Sequence, residues 1–173
     1  ARPHIGTNRL PKVIAGMREH LESVGVVFRF GTRVDGLLVE GGAVRGLALA
    51  GGERVEVESV VMATGHSARD VYAFLDAAGV AMESKAFAMG VRVEHRQPLI
   101  DAICFGEFAG HTSLGSAAYR VVERVGDYGV FSFCMCPGGF MVPATTEPGA
   151  QVVNGWSPAS RRGKYANSGF VTE

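Results

Sequence analysis

Apolar residues near the start of the chain recur at the spacing of one helical face. Thr7 and Asn8 precede this run and can cap a helix, and Pro11 suits a first helical turn. Gly25 follows the last periodic residue, a position where helices commonly end. The pattern therefore predicts an amphipathic helix, with an apolar face made of Leu10, Val13, Ile14, Met17, Leu21 and Val24.

Short apolar runs separated by glycine pairs follow this helix. The glycine pairs, at positions 41–42 and 51–52, can adopt the positive φ angles of tight turns. Apolar and charged residues alternate in the last run, which leaves one face of that strand solvated. The segment predicts a short strand and then a β-meander, with strands at residues 26–30, 32–39, 43–50 and 54–57.

The unbroken apolar run at residues 60–63 (VVMA) predicts a buried strand. Thr64 and Gly65 end the run, and Ser67 can cap a helix over residues 68–78. Gly65 permits a sharp turn and a close approach of a ligand to the backbone. Open α/β sheets bind ligands at such strand-to-helix connections, whereas the alternative is a connection without a ligand.

The second half of the chain predicts a mostly antiparallel β region with one short helix at residues 98–103. Pro137, Gly138 and Gly139 interrupt one of its strands, and residues 157–165 form a polar loop after the last one. The predicted fold class is thus mixed α/β, of the α+β kind. The predicted strands occupy residues 87–95, 119–125, 130–136, 140–144 and 151–156.

Composition limits the classes of function. The chain has 173 residues, of which 47% are hydrophobic, so it can bury a core. Lys plus Arg and Asp plus Glu are equal at 17 each, which argues against a nucleic-acid or anionic-membrane surface. No apolar run approaches the ~18 residues of a membrane helix. Three cysteines suggest a reducing, cytoplasmic setting, and the start at Ala1 suggests a piece of a longer protein.

Several side chains are candidates for chemistry, each beside a plainer alternative. Cys134 and Cys136 lie two apart and share one face of a strand, or are buried thiols that act as small hydrophobes. His66 could exchange a proton near neutral pH, or could simply pack at a turn. The five histidines show no paired spacing, so no metal site is predicted.

Two further groups of polar residues leave alternatives open. The start of the first helix could bind an anion with help from Arg2, His4 and Arg9, or could be an ordinary capped helix. Arg92 and Glu94 lie on one face of a predicted strand, where they form a cross-strand ion pair or part of a polar cavity wall.

Four blocks of sequence together resemble the uncharacterised bacterial FAD-dependent dehydrogenase-like proteins, which belong to the glutathione-reductase-like flavoproteins with two dinucleotide domains. The blocks are RPHIGTNRLPKV, ATGHSARD, GVRVEH and FCMCPGG. The resemblance implies a parent oxidoreductase that passes a hydride between a small-molecule substrate and FAD. It also implies that residues 1–79 belong to a FAD-binding domain and residues 80–173 to a substrate-side domain.

The chain departs from this pattern because it has no Gly-x-Gly-x-x-Gly turn for the pyrophosphate. We therefore expect a fragment that neither retains FAD nor acts by itself. By resemblance, the catalytic residues are His66 and Cys136, and the cofactor-binding residues are Gly6, Thr7, Thr64, Gly65, Gly138 and Gly139. Alternatives are a non-redox β module that binds a ligand or a partner, and a structural cap over a site built elsewhere.

Overall fold

The computed structural model describes residues 4–172, so Arg2, named above as an aid to anion binding, lies outside the described part. The chain divides into two compact units, which we describe separately. One contains residues 25–85, and the other contains residues 4–24 and 86–172. Helices and antiparallel sheets occur together, which confirms the mixed α/β class. The domain boundary at residue 79 stays a prediction.

Residues 25–85 fold around a three-stranded antiparallel sheet in the order β1-β2-β3. Gly41, Gly42, Gly51 and Gly52 all have positive φ angles at the two turns, so the predicted meander is confirmed. Helix α2 follows, packs against β1 and buries Val71. The elements are β1 (Val34–Glu40), β2 (Ala43–Leu49), β3 (Arg54–Glu56) and α2 (Arg69–Ala77).

Two strands predicted in this unit do not form. Residues 26–30 and 60–63 have no regular structure, and Val61 is 90% exposed. An apolar run becomes a strand only when a neighbour pairs with its backbone groups, and no strand within the described residues pairs with either run. The predicted cap on α2 is also wrong, because the N-cap residue is Ala68 and no side chain caps it.

Helix α1 spans Leu10–Ser23, as the periodicity predicts. Its N-cap is Arg9 and lacks a capping side chain, so the predicted caps are wrong. The side chains of Thr7 and Asn8 instead accept hydrogen bonds from the backbone of Ser157 and Ala159. The helix contributes no buried residue to the described part of the chain.

The second unit contains a five-stranded antiparallel sheet in the order β4-β8-β6-β5, and β7 pairs with the far half of β6. The predicted short helix is confirmed and extends from Gln97 to Phe105 as α3. The strands are β4 (Met89–Arg96), β5 (Val122–Val125), β6 (Tyr128–Pro143), β7 (Val153–Trp156) and β8 (Tyr165–Thr172).

Strand β8 was not predicted, although it is an inner strand between β4 and β6. Most of its buried residues are small, and three of them, Ala166, Asn167 and Ser168, are 0% exposed. A strand packed closely on both faces needs small side chains, so it lacks the apolar and polar alternation of a half-buried strand. The predicted break at residues 137–139 is also wrong, because β6 continues to Pro143 through two register shifts.

The core of this unit lies on one face of the sheet. Ile100 of α3 packs with Ala117 and Ala166, and partly buried aromatic residues surround them. His95 and Tyr119 are hydrogen-bonded at 3.0 Å on the same side. Ala166 and Ser168 of β8 lie on this face, whereas Asn167 and Gly169 alternate with them and lie on the opposite face, where Gly169 pairs with Arg92 of β4. The opposite face therefore carries a different set of side chains.

Candidate functional site

Polar side chains meet on the sheet face opposite the core. In the register of the sheet, Glu94 and Cys136 both pair with Asn167, and Arg92 pairs with Gly169. Paired residues of antiparallel strands project to the same side of the sheet. Arg92, Glu94, Cys136 and Asn167 therefore share one face, which we call the polar face.

Asn167 is the centre of the polar face. Its side chain is fully buried, and its Oδ1 accepts a hydrogen bond of 2.7 Å from Arg92 Nη1. Its Nδ2 has no hydrogen-bond partner among the described residues. A buried donor without a partner costs about 1–3 kcal/mol of folding free energy. An acceptor that formed a hydrogen bond with Nδ2 would recover this free energy.

Arg92 is held in place from three sides. Besides Asn167, its Nη1 donates to the backbone oxygen of Cys134 at 3.1 Å, and its guanidinium lies 5.8 Å from the centre of the Phe133 ring. The predicted ion pair with Glu94 is absent from the ion pairs of the described residues, since Glu94 Oε2 accepts from the backbone N–H of Met141 instead. The alternative, a polar wall, agrees with these contacts.

Gly155 lies where three side chains of the polar face crowd together. A Cβ atom at Gly155 would lie 2.5 Å from Cys136 Sγ, 2.6 Å from Arg92 Nη1 and 2.7 Å from Asn167 Oδ1. A thiol, a guanidinium and an amide therefore converge on one point that no larger residue could share. Glycine in a strand often marks such a close approach.

The cysteines differ in their surroundings. Cys134 is exposed and has a φ angle of 47°, whereas Cys136 is half-buried. Burial raises the pKa of the Cys136 thiol above its ordinary value, and the nearby Arg92 charge offsets part of that rise. Cys136 is therefore a neutral thiol at pH 7, and its hydrogen-bond contact is to the backbone oxygen of Cys134 at 3.4 Å.

We expect Cys136 to react with iodoacetamide at pH 7 more slowly than the exposed Cys104 and Cys134. A raised pKa lowers the thiolate fraction, and the thiolate is the nucleophile. The Cys136 rate should rise with pH, because its thiolate fraction then grows. Peptide mass mapping of timed samples measures the three rates. A Cys136 rate equal to that of Cys134 at pH 7 would contradict this description.

Gly6 and Thr7 lie against the segment that follows β7. The Gly6 backbone has a φ of 89°, and a Cβ there would collide with the backbone of Ala159. Thr7 N donates to Ser157 O at 2.9 Å, and Ser157 N donates back to Thr7 Oγ1 at 3.3 Å. Ser157 Oγ in turn donates to Pro137 O at 2.8 Å. These hydrogen bonds bring Gly6 and Thr7 near Pro137, which directly precedes Gly138.

Gly138 and Gly139 are required by contacts within the chain. Gly138 has a φ of 58°, and a Cβ there would collide with the backbone oxygen of Arg161. A Cβ at Gly139 would collide with the backbone oxygen of Trp156. These close approaches explain both glycines without a ligand, so their contact with a cofactor stays a prediction.

The remaining predicted residues belong to the unit of residues 25–85. Gly65 has a φ of 76°, as a sharp turn requires, and His66 is exposed. Thr64 lines a hollow with apolar neighbours that include Val60 and Met62. Their roles toward a cofactor or a substrate stay predictions. Among the described residues, no group of three or more His, Cys, Asp or Glu side chains could hold a metal ion.

Comparison with known proteins identifies the class. The model of the family described as "FAD-dependent protein, C-terminal domain-like" matches residues 86–173, half of the chain. The chain belongs to this family. It is also 37% identical over 173 residues to an uncharacterized protein of Clostridium beijerinckii (strain ATCC 51743 / NCIMB 8052). That match covers 99% of this chain and 32% of the relative, so the chain spans about a third of its relative's length.

The family implies FAD, and the polar face offers groups that fit part of it. Arg92 and the free Nδ2 of Asn167 are donors, whereas the pyrimidine edge of a flavin ring carries acceptor oxygens and nitrogens. The fit concerns the ring alone, because the chain has no glycine-rich turn for the pyrophosphate.

Sequence reasoning missed two residues of this site. Asn167 lies in a strand that the hydrophobic pattern did not indicate, and Gly155 resembled any glycine in a strand. Their importance arises from the pairing of β8 with β4 and β6, which no local pattern carries. The sequence did give a signal for Arg92, because its position on one strand face with Glu94 suggested part of a polar cavity wall.

Proposed function

We propose that this chain is part of a FAD-dependent oxidoreductase that passes a hydride between FAD and a small-molecule substrate. The observation that carries the proposal is the buried Nδ2 of Asn167, which has no partner among the described residues while Oδ1 accepts from Arg92, in a member of a FAD-dependent family. FAD, when bound, supplies the hydride chemistry. The chain's own residues would bind and orient the ring and exclude water from it.

In this proposal, Arg92 supplies a fixed positive charge at the ring edge. Its contacts with Asn167, Cys134 and Phe133 hold the guanidinium before a ligand arrives, so little reorganisation is needed on binding. A positive charge near the ring favours the more electron-rich form of a cofactor. Asn167 Nδ2 would donate to an acceptor atom, and the neutral Cys136 thiol would form part of the wall.

Other parts of the proposal rest on the sequence resemblance. His66 would exchange a proton with the substrate, and Gly6, Thr7, Thr64 and Gly65 would lie near the cofactor. This chain alone would not retain FAD, because it lacks the turn that binds the pyrophosphate. We also propose a cytoplasmic location. Within residues 4–172, no helix has the length and apolar character that crossing a bilayer requires.

The role of Arg92 can be measured as a reduction potential. In the full-length protein, Arg92→Gln should lower the two-electron potential of the bound flavin by on the order of 30 mV or more, which corresponds to ~1.4 kcal/mol. Arg92→Lys keeps the charge and should restore part of the loss. The control is Arg124→Gln, an exposed arginine on β5, at the opposite edge of the sheet from β4. Equal potentials in the wild type and in Arg92→Gln would contradict this role.

A further inference from the structure

A second candidate site lies in the same unit, around the N-terminal end of α3. A groove of about 860 Å³ opens there between the loop before β5 and the loop that precedes β8. Small-molecule sites commonly have volumes of about 300–1,000 Å³. Pro98, Leu114 and Tyr165 give the groove apolar surface, and Gly110 and Gly115 leave backbone accessible. We call it the cationic groove, for the charges described next.

Three cationic side chains line the groove: Arg96, Arg162 and Lys164. All three are exposed, and none makes a side-chain hydrogen bond or an ion pair with another described residue. The lining contains one carboxylate, Asp101, whose Oδ1 accepts from Gln97 Nε2 at 2.8 Å and from Ala117 N at 2.7 Å. The groove is therefore positive, although the whole chain has a formal charge of zero.

The loop that carries two of these cations is fixed by its backbone. Gly163 N donates to Gly138 O at 3.0 Å, and Gln97 N donates to Lys164 O at 2.9 Å. Arg161, at the start of the loop, accepts from Ser116 Oγ and has a φ of 52°. Positive φ at a residue other than glycine is unusual and persists only where the surroundings hold it.

This arrangement differs from scattered surface charges. The groove floor is Gln97, which is 3% exposed and has its side-chain groups bonded to Asp101, Ala117 and Gly138. Because the backbone is already fixed, a bound ligand restricts only the side chains, so more of the charge interaction appears as affinity. Arginine and lysine side chains donate charge-assisted hydrogen bonds to phosphate and carboxylate oxygens.

We propose that the cationic groove binds a small organic molecule that carries two or more negative oxyanion charges, as in an organic phosphate or a polycarboxylate. The carboxylate or phosphate oxygens contact Arg96, Arg162 and Lys164, and the organic part lies against Pro98 and Tyr165. This site does not depend on the flavin role of the polar face, which uses other residues. It would stand if the protein held no flavin.

Calorimetric titration of the full-length protein with pyrophosphate and with citrate, at low and at moderate salt, tests the proposal. We expect saturable binding of at least one probe, and Arg162→Gln/Lys164→Gln should weaken it about tenfold or more. A matched double variant, Lys12→Gln/Arg120→Gln, removes one lysine and one arginine that are exposed elsewhere in the same unit, and should change affinity less than about twofold.

The two probes also separate the sources of the oxyanion. Tighter binding of pyrophosphate indicates an organic phosphate, and tighter binding of citrate indicates a polycarboxylate. Equal weakening in the two double variants would overturn the proposal, because it would show a diffuse charge effect. The absence of binding of either probe at about 10 mM and low salt, where ionic attraction is strongest, would overturn it as well. A thermal melt of each variant confirms that it is folded.

Discussion

Gly138→Ala is expected to destabilise the protein by about 3 kcal/mol, which lowers the melting temperature by roughly 6–12 °C. Two causes act together. Gly138 has a φ of 58°, where an L-residue is strained by about 1–2 kcal/mol. The new Cβ would also collide with the backbone oxygen of Arg161, and relieving such a clash costs about 1–3 kcal/mol.

Gly129→Ala is the matched control, since Gly129 lies in the same strand and no atom lies within 4 Å of its Cβ position. It should change the melting temperature by no more than about 2 °C. The collision at Gly138 also involves the loop that carries Arg162 and Lys164. If the two variants melted at the same temperature, the close approach of that loop to β6 would be wrong.

Gln97→Met is expected to lower the free energy of unfolding by roughly 3 kcal/mol. Gln97 is 3% exposed, and its Oε1 accepts from Gly138 N at 2.7 Å while its Nε2 donates to Ala117 O at 3.0 Å. Methionine has a similar volume but makes neither bond, so a buried donor and a buried acceptor lose their partners. Each such loss costs about 1–3 kcal/mol.

Urea denaturation measures this change, with Gln151→Met as the control at an exposed glutamine. The control should leave the transition midpoint within the experimental scatter. A Gln97→Met midpoint equal to that of the wild type would mean that α3 is not tied to β6 through this side chain. The same result would remove the rigid floor that we assign to the cationic groove.

Helices and turns followed from the sequence because their signals are local. The helical spacing from Leu10 to Leu21 specifies α1, and the spacing around Val71 specifies α2. Glycine pairs at 41–42 and 51–52 specify turns because their φ angles are positive. Each of these signals lies within one element, so no knowledge of a partner is needed to interpret it.

The meander also followed, because its strands are joined by short turns, but pairing between strands that are distant in the sequence did not. The VVMA run looks like a buried strand, yet within the described residues nothing pairs with it. Strand β8 is the reverse case, because it is a strand although its small and polar residues, such as Asn167 and Ser168, give no strand pattern. Its neighbours β4 and β6 supply the pairing that makes it an inner strand.

The candidate site also contains residues that the sequence signalled and residues that only the strand pairing revealed. Cys136 and Gly138 were conspicuous in the sequence, and both lie in the irregular part of β6. Asn167 and Gly155 became visible only when the strand register placed them beside Arg92. The chemistry of a side chain can be taken from its type, but its neighbours on a sheet are set by register.

A visible spectrum of the purified full-length protein tests most directly the proposal that this chain is part of a flavin-dependent oxidoreductase. We expect a yellow protein with flavin absorption bands that bleach on addition of dithionite. A colourless protein that stays colourless after incubation with FAD would contradict it.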